Sequence, residues 1–400
     1  MMEAARQRYR TLEIDAGKYW LTLAVLGAAI GVGLLAAYYM EHHGHWVTGM
    51  SNQIVWGMPH VFAILLIVAA SGALNVASMG SVFGEARYKP LSRISGLIAV
   101  ALLVGGLLIL VLDLGRPDRL IVAMTTYNFK SIFAWNIFLY TGFVVIAVVY
   151  LWMFFEPRMG RFSSRVGILA FVWRIVLTTG TGSIFGFLVA RNAYDAAIMA
   201  PLFVAMSLSV GTALFMLITC AVLRVNNEDI AAEWLLRLRR LNGIFVAVVL
   251  YFTVVQIVAG MYVAEHGEIV RFILSDGGSI TGIFWIGQIL IGSVLPMILF
   301  FHPRLAEMRW IMTAAMLVVI GGVAHLYVII IGGQAVPMEL FPGKTELSSF
   351  YDGVVAGYSP SVPELLLGLG GIAVSLFLIV VALRVLPFLP AAPVPRKSPR

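Results

Sequence analysis

The chain has 400 residues, of which 60% are hydrophobic and 12% charged, with a formal net charge of +7. Soluble domains average about 45–50% apolar and about 25% charged residues, so this composition excludes a soluble enzyme and predicts an integral membrane protein. One cysteine, Cys220, excludes an internal disulfide, a Cys-ligated iron–sulfur cluster and CxxCH haem attachment.

A helix needs about 20 apolar residues to cross a hydrocarbon core of about 30 Å. Apolar runs between charged or Gly/Pro-rich breaks predict ten spans, near Tyr19–Met40, Ile54–Gly80, Ser92–Leu114, Phe129–Phe155, Val166–Val189, Ala200–Leu223, Leu241–Val263, Ile280–Phe301, Trp310–Gly332 and Glu364–Leu386. Barrel strands would alternate polar and apolar residues, and these runs do not. The expected fold is an all-α membrane protein of about ten transmembrane helices. A faint echo of "MPHVFAILLIVAASGALNVA" in "APLFVAMSLSVGTALFMLIT" suggests two four-helix bundles plus flanking helices. Residues 1–18 form an N-terminal segment, 19–388 the membrane domain with a long loop at 334–363, and 389–400 a tail.

Twenty Lys and Arg residues fall on one side, among them Arg10, Lys18, Arg87, Arg93, Arg158, Arg224, Arg239, Arg304 and Arg384. Only six fall on the other: Arg116, Arg119, Lys130, Arg191, Arg271 and Lys344. The positive-inside rule then makes both termini cytoplasmic. No signal peptide is evident, because a charged and polar segment precedes the first span. Basic residues spread through short loops speak for topology rather than nucleic acid. The loop 334–363, with Glu339, Glu346, Asp352 and several Pro and Gly, reads equally as an ordered periplasmic cap and as a connector.

Three of the six outer basic residues belong to one region, which begins "VLDLGRPDRL". Around it the outer ends of three spans carry unusual polar residues: Trp56, Pro59 and His60 open the second, Asp113 closes the third before Arg116, Asp118 and Arg119, and Tyr127, Asn128, Lys130, Ser131 and Trp135 open the fourth. Each also has a plainer reading. Arg119 and Lys130 suit interfacial anchors, Trp46 and Trp56 an aromatic belt, and His60 a packing residue. Asp113 is harder to dismiss, because an unpaired Asp within a helix costs about 2.5–3.5 kcal/mol on insertion scales; Arg116 or Arg119 would pair with it. A quinone needs a donor for each of two carbonyl oxygens and moves two protons, which an imidazole and a buried carboxylate can exchange. Of the other histidines, His42, His43 and His45 read as a solvated loop, and His266, His302 and His325 do not form facing pairs for haem b. Arg174, Gln256, Gln288 and Glu364 lie within spans, where a proton path and structural hydrogen bonding are both open readings. Arg191, Asn192, Tyr194 and Asp195 form an outer turn beside the cluster, suited to joining it or to contacting a partner.

"WGMPHVF", "LDLGRPDRL" and "YNFKSIFAW", with the final "SPSVPELLLGLGGIAVSLFLIVVALRVLPFLP", resemble the NrfD/PsrC family of polysulfide-reductase-type membrane subunits, in its ten-span branch. The resemblance implies a haem-free subunit of a quinone-linked redox complex, with menaquinone or ubiquinone as bound substrate and no intrinsic haem, iron–sulfur cluster or metal. Electrons would pass between the quinone and a periplasmic ferredoxin-like iron–sulfur subunit. Carried over by motif are His60, Asp113, Arg116 and Ser131; His60, Asp113 and Arg116 are the expected catalytic residues, and His60 and Ser131, with Tyr127, Asn128 and Trp56 beside them, the expected quinone contacts. A related subunit has Asn where this chain has Gly57, leaving Tyr127 or Asn128 to supply the second contact. Within the family the pattern is most similar to DsrP-type subunits of sulfur metabolism, which implies a DsrO-type iron–sulfur partner with DsrJ-, DsrM- and DsrK-type subunits in an inner-membrane complex. The competing readings are a secondary transporter and a purely structural anchor.

Overall fold

The computed structural model describes residues 9–226, 232–338, 344 and 353–390. Among them, ten helices are long and apolar enough to cross a membrane: α1 (Ala16–His43), α2 (Met58–Gly80), α3 (Tyr88–Leu112), α4 (Ile132–Met153), α5 (Ser164–Gly186), α6 (Met199–Val225), α7 (Glu233–Tyr262), α8 (Ser279–Phe301), α9 (Met308–Ala335) and α10 (Val362–Val385). The chain is thus an all-α integral membrane protein, as its hydropathy predicts. The short strands β1 (Tyr9–Arg10) and β2 (Leu389–Pro390) pair antiparallel, so both ends of the described chain lie on one side, as an even number of spans requires. Arg384 fastens the same end by donating to the Leu12 carbonyl at 2.9 Å.

Helices α2–α5 pack as one group of four and α6–α9 as another, while α1 and α10 pack on each other and α10 on α3. The two bundles meet where α2 crosses α6. The most apolar window of α2 is 94% buried and that of α6 is 72% buried, against 17% for α1 and α4, so α2 and α6 form the centre and α1 and α4 face lipid. Association in lipid relies on close packing, and small residues permit it. A Cβ on Gly72 or on Gly211 would run into the backbone of the opposing helix, and one on Gly33 of α1 would lie 2.8 Å from the Gly370 Cα of α10.

Several boundaries differ from the hydropathy reading; helix α7, for one, begins at Glu233 rather than Leu241. Helix α9 continues through a π-helical stretch, Val328–Gly332, to Ala335, so Gln334 lies at a buried helix end rather than opening the loop. Helix α1 runs on to His43, where Tyr38–His42 and Tyr39–His43 ring contacts support the last turn. Helix α2 starts at Met58, and the residues before it are extended. Of the loop 334–363, residues 339–343 and 345–352, with Glu339, Glu346 and Asp352, lie outside the described residues, as do 1–8, 227–231 and 391–400. The loop returns to α9 where the Ala356 amide donates to the Ala335 carbonyl at 2.8 Å.

Candidate functional site

The N-terminal end of α2 is held in place by one buried amide. Gln334 accepts at Oε1 from the Val55 and Trp56 amides, at 2.9 and 3.1 Å, and donates from Nε2 to the Trp56 and Ile330 carbonyls, at 3.0 and 2.8 Å. Arg191 donates to the Gln53 carbonyl at 2.8 Å and to the Gln334 carbonyl at 3.3 Å, and the Gln53 side chain donates to the Ala335 carbonyl at 2.7 Å. Backbone groups of the turn into α2 that would be costly to bury unpaired are thereby matched from α9. Pro59, in the first turn, surrenders only an amide that a helix start leaves unpaired.

This scaffold fixes the Trp56 indole. His60 stacks on it at 5.2 Å between ring centroids and 10° between planes, and Phe133, Phe185 and Tyr194 surround it at 6.1, 5.9 and 6.2 Å. His60 is half-buried, and among the described residues its ring makes no hydrogen bond. An imidazole oriented by stacking alone keeps both ring nitrogens free for a ligand. The sequence placed Trp56 with His60 and offered the turn carrying Tyr194 either to this cluster or to a partner; the structure brings the Tyr194 ring to Trp56.

Asp113 immediately follows α3, and its side chain is only 7% exposed. Gly115 then takes φ 69, a left-handed conformation that favours glycine, and a Cβ there would lie 3.0 Å from the His45 ring. His45 fills that space. Its Nε2 lies 4.0 Å from Asp113 Oδ1, too far for a hydrogen bond, and both atoms are buried without a partner. Arg116, expected to pair with Asp113, instead holds Asp118 through Nε at 3.1 Å and Nη2 at 3.2 Å. The reason is geometric: the turn at Gly115 carries Arg116 out to water, where both partners are 61% exposed. That bond holds the Asp118 carboxyl below its ordinary range. The loop reading of the histidine cluster is corrected for His45, which sits against the acid.

A second carboxylate lies close by, and it is satisfied. Glu364, fully buried at the start of α10, accepts from the Gly49 and Ser361 amides at 2.8 and 2.7 Å and from the Tyr358 hydroxyl at 2.6 Å. Ser361 and Glu364 form a capping box, so Glu364 serves α10 as a helix cap. Burial, and then the bond to Glu364, push the Tyr358 phenol above its ordinary value, so it remains a donor at neutral pH. The same hydroxyl accepts from the Met58 amide at 2.6 Å. Gly57 leaves room for this arrangement: a Cβ there would overlap Glu364 Oε1 and approach the Tyr358 hydroxyl to 2.9 Å. Asp113 and Glu364 are close enough for their charges to repel. Helices α2 and α3 cross where a Cβ on Gly106 would lie 2.9 Å from the Ala63 carbonyl, and His60 and Asp113 stand about one and about two turns outward of that crossing.

Helix α4 contributes less than the sequence suggested. The Tyr127 ring packs on Phe138 at 4.4 Å, Asn128 Oδ1 accepts from the Lys130 amide at 3.0 Å, and Ser131 sits at the start of α4 without a side-chain cap bond. Among the described residues no hydrogen bond joins Tyr127, Asn128 or Ser131 to His60. Phe133 is the residue of α4 that reaches Trp56, and Trp135, 49% exposed, bonds the Phe129 carbonyl at 2.9 Å. Deeper in the bundle Arg174 of α5 donates to Asn75 Oδ1 at 3.0 Å and to the Ser71 carbonyl at 3.4 Å, with Phe171 4.8 Å beneath its guanidinium. Gln53, Gln334, Tyr358 and His45 were not singled out as site residues from sequence. For Gln334 the available signal was an amide within "IGGQAV" directly after an apolar span.

Comparison with known proteins bears on this geometry. Residues 46–338 match the family described as "Polysulphide reductase, NrfD". The Hdr-like menaquinol oxidoreductase integral membrane subunit of Archaeoglobus fulgidus is 29% identical over 96% of each chain. A selenate reductase subunit of Mesobacillus selenatarsenatis is 24% identical over 91% of this chain and 93% of its own length. The protein NrfD of Escherichia coli is 26% identical over 62% of this chain and 85% of its own length. The matched family segment runs from Trp46, beside the His45–Asp113 contact, through the Gln334 clamp, and the chain belongs to the NrfD family of membrane subunits.

Proposed function

We propose that this chain is the quinone-handling membrane subunit of a redox complex, and that a quinone headgroup binds at the outer end of the first bundle beside His60. The observation that carries the reading is the His60 imidazole, fixed against Trp56 yet without a hydrogen bond to protein, at the end of a helix otherwise closely packed. An oriented but unengaged imidazole suits a carbonyl or hydroxyl oxygen arriving from lipid. Exposed Phe133 and Trp135 at the head of α4 offer an aromatic edge along which an apolar ring can enter.

Oxidation of a quinol releases two protons and two electrons, and reduction of the quinone takes them up. In this reading His60 exchanges one proton with a quinone oxygen, and Asp113 accepts or supplies the other with His45 beside it. Glu364 holds the frame, because its oxygens are already occupied by three donors. Arg116, bound to Asp118 at the surface, has no part in the proton step. The electrons pass to an iron–sulfur partner. A periplasmic ferredoxin-like subunit of DsrO type, with DsrJ-, DsrM- and DsrK-type subunits, fits the motifs at residues 54–140 and 358–390. Similarity to a menaquinol oxidoreductase subunit favours menaquinone over ubiquinone. The distribution of Lys and Arg favours cytoplasmic termini and an outward-facing site in a bacterial inner membrane.

The test uses the complex purified from membranes with its partners. His60→Ala and Asp113→Asn are each expected to slow quinone-linked electron transfer by about 100-fold while the partner subunits still co-purify in full amount. Normal turnover in both variants would overturn the reading.

A further inference from the structure

A cavity of about 270 Å³ opens in the other bundle, between α6, α7, α8, α9 and the turns flanking residues 192–198 and 264–276. Its walls are apolar, with Ile257, Val270, Ile273, Phe284 and Ile329. Three buried polar side chains line it: Thr253 of α7, whose hydroxyl donates to the Val249 carbonyl, Gln288 of α8, 4% exposed, and His325 of α9, 5% exposed. Gln288 Oε1 has no hydrogen-bond partner, and among the described residues the His325 ring makes no hydrogen bond. Buried polar side chains that serve packing alone are normally bonded to one another or to backbone.

Both helices also depart from α geometry at this level. Ile283–Val294 of α8 and Val328–Gly332 of α9 are π-helical, and π segments recur at functional sites because they re-aim side chains. Asp195 and His266 also line the cavity, and its lining holds no Glu, Lys or Arg. An anionic ligand would therefore be desolvated without a Lys or Arg to compensate.

We propose that this cavity is a second ligand site, for a neutral lipophile whose apolar ring carries carbonyl or hydroxyl oxygens, a quinone-class headgroup bound by Gln288 and His325. The volume lies near the lower limit of small-molecule pockets, about 300 Å³, and suits a headgroup whose tail remains in lipid. Gln288 and His325 can each donate or accept, so either redox form can be held. The site is separate from the one beside His60. Tyr194 stands between them: its ring stacks over Trp56, and a Cβ on Gly333, which lines the cavity, would lie 2.5 Å from the same ring.

A photoreactive azido-naphthoquinone, irradiated with the purified complex and mapped by peptide mass spectrometry, tests the proposal. Label is expected on peptides of α8 and α9 containing Gln288 or His325, and excess unlabelled menaquinone should remove it. Gln288→Leu and His325→Leu should each lower that label by about tenfold, as loss of a buried hydrogen bond predicts, without lowering any label on α2. His60→Ala should leave the α8–α9 label in place, so failure at one site is distinguishable from failure at the other. Gln288→Leu preserves volume and serves if His325→Leu fails to assemble. The proposal is overturned if no label reaches α8–α9, if both Leu variants retain it, or if excess phospholipid removes it and menaquinone does not.

Discussion

The two bundles each present a histidine that makes no side-chain hydrogen bond among the described residues, and they prepare its surroundings differently. Around His60 the turn into α2 is closely matched: Gln334 makes four hydrogen bonds, Glu364 accepts three, and Trp56 packs over the imidazole, with Asp113 Oδ1 and His45 Nε2 the buried atoms left unpaired beside that frame. Around His325 there is no such frame, and an orphaned Gln288 oxygen and π-wound helices border a void. Satisfied hydrogen bonds rigidify, and an unsatisfied buried group stores a cost that a ligand can relieve. The first bundle therefore sets a reactive side chain in a stiff frame, and the second keeps a space ready.

The largest effect should separate the two histidines directly. His60→Ala is expected to slow quinol-linked reduction of the partner by about 100-fold, the scale of losing a general acid–base group, while His325→Leu costs much less. An equal loss in His325→Leu, measured in the same membranes, would move the chemistry into the second bundle. The two glutamines offer a second contrast. Gln334→Ala strands the Val55 and Trp56 amides and should lower the stability of the purified complex by about 1–3 kcal/mol per buried group left unpaired. Gln288→Leu removes an oxygen that has no partner and should leave the melting temperature of the unliganded complex level or slightly higher. Gly57→Ala tests the frame from another side: its Cβ meets Glu364 and Tyr358, and overpacking of this kind costs about 1–3 kcal/mol. A melting temperature equal to wild type would mean that the α2 turn yields where it is described as stiff. The smallest effect belongs to Arg116→Gln, which breaks only an exposed bond to Asp118 and should leave turnover close to wild type.

Much of the fold could be read from the chain because crossing a bilayer imposes length and composition locally. The ten spans and the crowding of polar residues at three helix ends follow from residues near one another in sequence, and the two four-helix groups from an echo between the second span and the sixth. The partners of Asp113 could not be read this way. Its sequence neighbour Arg116 looked suitable, yet the positive φ at Gly115 turns Arg116 outward and admits His45 from the far end of α1. Tyr127 and Asn128 likewise lie near the motif in sequence, and both are engaged close to their own turn.

Sequence alone determined that this is an all-helical membrane protein, and its motifs placed it near the NrfD family. It also marked His60 and Asp113 as polar residues that a membrane helix would not carry without reason. Only the tertiary structure decided which of the outer polar groups are satisfied. Gln334 reaches the Trp56 backbone and Glu364 the Gly49 amide, leaving Asp113 and His60 without such partners among the described residues. Hydropathy records what each residue would lose in lipid; whether that loss is recovered depends on atoms brought together from helices hundreds of residues apart.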